Sequence, residues 1–168
     1  MYEYTPELPK RKERLIAVLL LFLGLCLFGF SQVNGIPFPI IYQFLALCAL
    51  AATIILVSRY LMRHYVYSIV PREDDREGDT PDFVVTEYYG KRISVVCRVS
   101  LDDIEEILPI TKETKKTVRG LQKERLFYDY TADLFSQNRY LLTITDDEHR
   151  FCARLLADEE LLKWLGRR

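Results

Sequence analysis

The chain has 168 residues, 49% of them hydrophobic, and 23 Lys and Arg almost balance 24 Asp and Glu. From Arg59 onward 19 basic residues stand against 21 acidic ones, a net charge of −2 that gives no basis for a nucleic-acid partner. A mean hydropathy near zero describes neither part of the chain, because it averages an apolar first third with a strongly charged remainder.

Residues 1–14 read as a cytosolic, basic lead, ending in Lys10, Arg11, Lys12 and Arg14. Residues 15–58 then contain no Asp, Glu, Lys, Arg or His. Two apolar runs, from Leu15 to Phe30 and from Phe38 to Val57, flank a polar break with Ser31, Gln32, Asn34, Gly35 and Pro37, whose backbone preferences favour a turn. At a rise of about 1.5 Å per residue, roughly 20 residues cross a hydrocarbon core of about 30 Å, so the pair predicts a two-helix transmembrane hairpin. The connecting loop carries no Lys or Arg, whereas Arg59 and Arg63 follow the second run. The positive-inside rule therefore predicts a multi-pass protein of the plasma membrane with both termini cytoplasmic. No small-x-small cleavage site follows Phe30, and a second apolar run comes at once, which disfavours a cleaved signal peptide.

In the second run Ala46, Ala49 and Thr53 share one helical face, where small side chains let another helix approach closely. The first span is the simplest partner for that stripe, and a second copy of the chain is the alternative. No ionisable group lies at mid-membrane, which disfavours transport or proton relay by the hairpin alone. Cys26, Cys48, Cys97 and Cys152 are scattered without a CxxC pair and read as buried, reduced thiols.

Residues 63–168 carry β chemistry. Tyr65, Tyr67 and Ile69 alternate with Val66, Ser68 and Val70, and an acidic loop with Asp74 and Asp75 follows, without the spacing of a calcium loop. The runs from Asp82 to Tyr89 and from Arg92 to Val99 form a hairpin about Gly90 and Lys91, with Ile93, Val95, Cys97 and Val99 expected on one buried face. Residues 101–108 fit either a short helix capped by Ser100 or a strand. Three more strands are expected from Leu126 to Tyr130, Arg139 to Thr145 and His149 to Leu156, the last two joined by Asp146, Asp147 and Glu148. In the last strand Phe151, Ala153 and Leu155 read as inward, with Arg150, Cys152 and Arg154 outward. A final helix has Asp158 as N-cap, an apolar face of Leu161, Leu162, Trp164 and Leu165, and Lys163, Arg167 and Arg168 at its negative end.

Between these strands lies the segment most suggestive of binding. Lys112, Lys115, Lys116, Arg119, Lys123 and Arg125 face only Glu113 and Glu124 in residues 109–125, a net charge of +4. Each such side chain near an anionic leaflet contributes about 1 kcal/mol, so the six are candidates for binding lipid or a partner; a solvated loop or surface helix is the alternative. No nucleophile and base arrangement, phosphate loop or metal-ligand spacing surrounds the two histidines, His64 and His149. The chain is thus read as non-enzymatic, with no cofactor and no metal.

Short antiparallel strands followed by one amphipathic helix form the order of pleckstrin-homology (PH) domains. The aromatic strand from Tyr65 to Ile69 after the apolar pair, the run from Ile93 to Ile107 with Ser100, Leu101 and Ile104, and the terminal stretch from Leu161 to Leu165 carry this likeness. In outline residues 15–168 resemble bacterial two-span membrane proteins with a PH-like cytosolic domain. The resemblance implies an α+β chain: two transmembrane helices, then an antiparallel half-barrel of about seven strands closed by a C-terminal helix. It carries no site residue, and implies protein assembly more than phosphoinositide binding. The expected function is a membrane-anchored interaction module for a protein partner or homo-oligomer, with docking on anionic lipid headgroups through residues 112–125 as the alternative.

Overall fold

A computed structural model of the chain describes residues 2–6, 10–33, 35–71, 80–136, 138–145 and 150–166. It divides into two compact units, residues 8–63 and residues 1–7 with 64–168.

The first unit is a helical hairpin of α1 (Arg11–Ser31) and α2 (Pro39–Leu56), which continues through one π-type turn, Val57–Leu61. Helix α1 starts within the charged lead, before Leu15, because Lys, Arg and Glu are nearly as good helix formers as Leu. The small stripe of α2 is buried at Ala46, Ala49 and Thr53, and α1 meets it with its own buried positions Ala17, Gly24 and Ser31. A side chain on Gly24 would place its Cβ 3.2 Å from Leu50 Cγ and 3.4 Å from the Ala46 carbonyl oxygen, so this glycine sets how closely the helices approach. Of the two partners open to the stripe, the first helix occupies it. The remaining faces are apolar and bare, with Phe22 66%, Phe44 64% and Ile54 68% exposed. Both helices, 21 and 23 residues long with the π turn included, are long and apolar enough to cross a membrane. The polar break turns through Gly35 and Phe38, both with positive φ, and Lys10 Nζ closes the open end by donating to the Arg63 carbonyl at 3.0 Å.

The second unit holds two four-stranded sheets. The first has the order β1 (Tyr2–Tyr4), β2 (Arg63–Val70), β3 (Asp82–Tyr89), β4 (Arg92–Ser100). The second has the order β5 (Ile104–Pro109), β7 (Arg139–Thr145), β8 (Arg150–Leu156), β6 (Leu126–Asp129). Two more helices complete it, α3 (Lys115–Glu124) and α4 (Glu159–Leu165). The architecture is α+β, and the sheets do not close into a barrel. Eight strands stand among the described residues where about seven were expected. The lead, read as a separate segment, supplies β1, which pairs antiparallel with β2 so that Tyr2 faces Ile69 and Tyr4 faces Tyr67.

Other departures have local causes. Between Val85 and Thr86 the pairing slips, with Val85 opposite Cys97 and Thr86 opposite Val95, leaving Val96 as an extra residue in β4. Such a bulge inverts the alternation on one side of it. Cys97 and Val99 are buried as expected, but Ile93 and Val95 are 63% and 61% exposed. Residues 101–108 contain both of their alternatives in succession. Ser100 Oγ accepts from the Asp102 amide at 3.4 Å to cap a 3₁₀ turn over Leu101–Asp103, and β5 follows. Strand β6 runs parallel to β8, although all strands were expected antiparallel. The Asp74 and Asp75 loop, the Asp146, Asp147 and Glu148 turn, His149, Arg167 and Arg168 lie outside the described residues.

The core is aromatic and aliphatic, with Tyr67, Phe83, Val85, Leu142, Ile144, Leu155 and Leu161 fully buried. Tyr67 stacks on Phe83 with ring centroids 6.3 Å apart. Its hydroxyl donates to the Tyr130 carbonyl at 2.8 Å and accepts from the Leu156 amide at 3.3 Å, satisfying two backbone groups beside the second sheet from the first. The expected outward side of β8 is not solvated throughout. Cys152 is fully buried because α3 lies over that face, where Val118, Leu141 and Cys152 form a second core with Leu108, Ile110, Leu121 and Phe127 around it. That overlay positions the site described next.

Candidate functional site: a basic cleft beneath helix α3

The segment between β5 and β6 folds as a helix because its two threonines close the first turn. The Thr111 amide donates to Thr114 Oγ1 at 2.9 Å, and the Thr114 amide donates back to Thr111 Oγ1 at 3.3 Å. Thr114 Oγ1 also donates to the Pro109 carbonyl. The helix then presents Val118 and Leu121 to the sheet, and Lys115, Arg119 and Gln122 fall on the same side at i, i+4 and i+7.

The sheet supplies the floor. Along β7, Arg139 shares a face with Leu141, and along β8, Arg154 shares one with Cys152, since Leu141 pairs with Arg154 and Thr143 with Cys152. The Ile110 amide donates to the Arg139 carbonyl at 2.8 Å and holds the approach to α3 against this corner. Between helix and sheet opens a cleft of about 420 Å³, lined by Ile110, Thr111, Lys112, Lys115, Val118, Arg119, Gln122, Arg139 and Arg154. Five of these are cationic and none is a carboxylate.

Arg139 and Arg154 are fixed rather than free to swing. An Nη2 of Arg139 donates to the Asp133 carbonyl at 3.0 Å. The guanidinium of Arg154 lies over the Phe127 ring at 4.9 Å, and its Nη1 reaches Asp129 Oδ2 at 3.4 Å. Yet the Nε atoms of both arginines, and Nε2 of Gln122, are buried without a hydrogen-bond partner. Buried donors of this kind cost roughly 1–3 kcal/mol each when unpaired, and the three have essentially no surface open to solvent.

The six basic residues singled out by sequence divide here. Lys112, Lys115 and Arg119 line the cleft, whereas Lys116, Lys123 and Arg125 do not. Lys116 and Lys123 are exposed on other faces of α3. Arg125 instead donates to Glu105 Oε2 at 3.1 Å, while Thr145 Oγ1 donates to Oε1 at 2.6 Å, and these bonds hold the Glu105 carboxyl below its ordinary range. Arg154 and Gln122 were not singled out by sequence, and Arg139 only with Arg125 beside Tyr128, Tyr130 and Tyr140, a grouping whose aromatic strand spacing also fits core or barrel edge. Gln122 was open to helical spacing from Lys115, but the arginines sit on strands distant in sequence.

A second concavity, about 310 Å³, lies between the edges β4 and β6 and is lined largely by apolar and aromatic groups, with Tyr128 stacked on Tyr130 at 6.1 Å. Tyr130 Oη donates to the Val96 carbonyl at 3.3 Å across it. Burial pushes the Cys97 thiol up to about 11, and burial also raises the Cys152 thiol, so both favour the protonated form. His64 is exposed on β2. Among the described residues no three His, Cys, Asp or Glu side chains converge as metal ligands. The chain matches no protein-family model, no curated protein and no solved structure.

Proposed function

We propose that this chain is a membrane-anchored, non-enzymatic recognition module, with a two-span hairpin holding a PH-like domain of bacterial type on the cytosolic face of the plasma membrane. The succession of two sheets and a terminal helix supports the PH-like reading. The positive residues flanking the apolar pair support the cytosolic placement. Strand β1 precedes the first span and pairs with β2, which follows the second, so an even number of crossings returns the chain to the side it left.

Of the two engagements the sequence suggests, assembly with protein and docking on anionic groups, the cleft beneath α3 favours the second. The observation that carries it is the gathering of Lys112, Lys115, Arg119, Arg139 and Arg154 around one concavity with no carboxylate in its lining. A domain held by a hairpin needs little intrinsic affinity for the leaflet, because tethering supplies the effective concentration.

The test is lysine acetylation footprinting of the full chain in nanodiscs. Lys112 and Lys115 are expected to be protected several-fold in discs containing phosphatidylglycerol relative to phosphatidylcholine alone, and protection is expected to fade with added salt. Equal labelling in the two discs at low salt overturns headgroup docking. If protection instead follows protein concentration in neutral discs, assembly is the working role.

A further inference from the structure

We propose that the tip of the β3–β4 hairpin, residues 88–95, is a further point of contact with the bilayer, seating Ile93 and Val95 in the apolar side of the lipid interface with Lys91 and Arg92 at headgroup level. The occupant is phospholipid of the membrane that the two helices cross. This rests on the two-span reading and is independent of docking by the cleft.

Strand register sets where the tip lies. The second apolar helix and its π-type turn end at Leu61, and only Met62 precedes the start of β2 at Arg63. Strand β1 runs antiparallel to β2, so the chain beyond Tyr4 leads back to that same end, where Lys10 Nζ donates to the Arg63 carbonyl. Strand β3 also runs against β2, since Tyr65 bonds Glu87 while Tyr67 stacks on Phe83. The turn at Gly90 and Lys91 therefore stands at the end of the sheet through which both tethers pass. With neighbouring strands about 4.8 Å apart, β4 lies about 10 Å from β2.

The side chains there suit lipid. Ile93 pairs with Tyr88 and Val95 with Thr86, so the two share one face of the ladder, and both are largely exposed. Strict alternation would bury them with Cys97 and Val99. The extra residue at Val96 turns them outward instead, and bulges commonly re-aim side chains in this way. Lys91 and Arg92 are exposed beside them, Arg92 pairs with Tyr89, and residues 88–95 contain no carboxylate. An apolar tip bordered by aromatic and basic groups has the composition of an interfacial anchor. Strand β4 is also the open edge of its sheet, which makes a second copy the competing occupant. Confinement of the exposed apolar pair to the tethered half of β4 favours lipid.

The experiment is methyl NMR of the full chain in phosphatidylcholine nanodiscs. One sample carries phosphatidylcholine with a nitroxide near the top of its acyl chain, and a parallel one carries a water-soluble gadolinium chelate. The Ile93 and Val95 methyls are expected to be broadened several-fold more by the lipid nitroxide than those of the fully buried Ile144, and to be spared by gadolinium. Because the contact is apolar, the effect should persist in neutral discs and at high salt, unlike protection of Lys112 and Lys115. Replacing both residues, Ile93→Asn with Val95→Asn, changes exposed positions only, and should cut nitroxide broadening of the Gly90 and Lys91 amides several-fold while unfolding stays unchanged.

Broadening of both methyls by gadolinium and not by the nitroxide overturns the contact. If both termini are still protected in right-side-out vesicles, the two-span reading stands without it; if they are not, both fall. Shielding from gadolinium without nitroxide broadening, growing with the number of chains per disc, overturns lipid in favour of a second copy at β4.

Discussion

Tyr2 lies against Trp164 with ring centroids 6.2 Å apart, and its hydroxyl donates to Asp158 Oδ1 at 3.3 Å. Asp158 is also the N-cap of α4, accepting from the Leu161 amide at 2.7 Å. The start of the chain is therefore pinned to its last helix, 156 positions away in sequence. Replacing Tyr2 with Ala removes a stacked ring and a hydrogen bond, and should lower the stability of the domain by about 1–3 kcal/mol. Thermal unfolding of the full chain in nanodiscs measures this, and faster amide exchange along β2 should accompany it.

Tyr67 is the internal counterpart. Its hydroxyl serves a carbonyl and an amide at once inside the core, so Tyr67→Phe preserves the ring and strands the Leu156 N–H and the Tyr130 C=O. A loss of about 1–3 kcal/mol is expected in chemical unfolding, larger than for Tyr65→Phe, whose hydroxyl contacts the half-buried Glu87 at 3.3 Å.

In the hairpin, Gly24→Leu inserts a side chain where the nearest atoms of Leu50 and Ala46 leave no room even for a Cβ without adjustment. The helices must separate, at a cost of about 1–3 kcal/mol. Disulfide trapping between cysteines placed on facing positions of α1 and α2 should slow in this variant, while Gly29→Leu, whose Cβ would meet nothing within 4 Å, should leave it unchanged.

The pH limits follow from two groups. Glu105, held low by Thr145 and then Arg125, stabilises the ionised folded domain above its ordinary value of 4.5, and that contribution is lost as pH falls through its lowered pKa. Thr145→Val should move its titration toward the ordinary value in carboxyl NMR. Cys97, raised by burial from 9.0 to about 11, contributes fully below pH 9 and loses that contribution as pH rises toward 11. At pH 8 its alkylation should be many times slower in the folded chain than in urea.

What the sequence disclosed, and what it hid, follows the range of the forces involved. The apolar pair, the hairpin from Asp82 to Ser100 and the Asp158 cap depend on neighbours a few residues apart, and their patterns were legible. The role of the lead was not, because Tyr2, Glu3 and Tyr4 become a strand only against Tyr67 and Ile69. The exposure of Ile93 and Val95 was hidden by one extra residue at Val96, which strict alternation cannot anticipate. In the cleft, Lys115, Arg119 and Gln122 are related by helical spacing, but Arg139 and Arg154 are brought beside them by the antiparallel pairing of β7 with β8. Cys152 appeared to belong to a polar edge for the same reason: nothing nearby in sequence announces that α3 covers it.

In the proposed function the hairpin crosses the bilayer twice and leaves β1 and the rest of its sheet on the cytosolic side. The direct measurement is protease digestion of sealed right-side-out and inverted membrane vesicles carrying the chain with one epitope at each terminus. The expected result is that both epitopes survive in right-side-out vesicles and both are lost in inverted ones. Loss of one epitope in each orientation, or of either epitope in intact right-side-out vesicles, would contradict it.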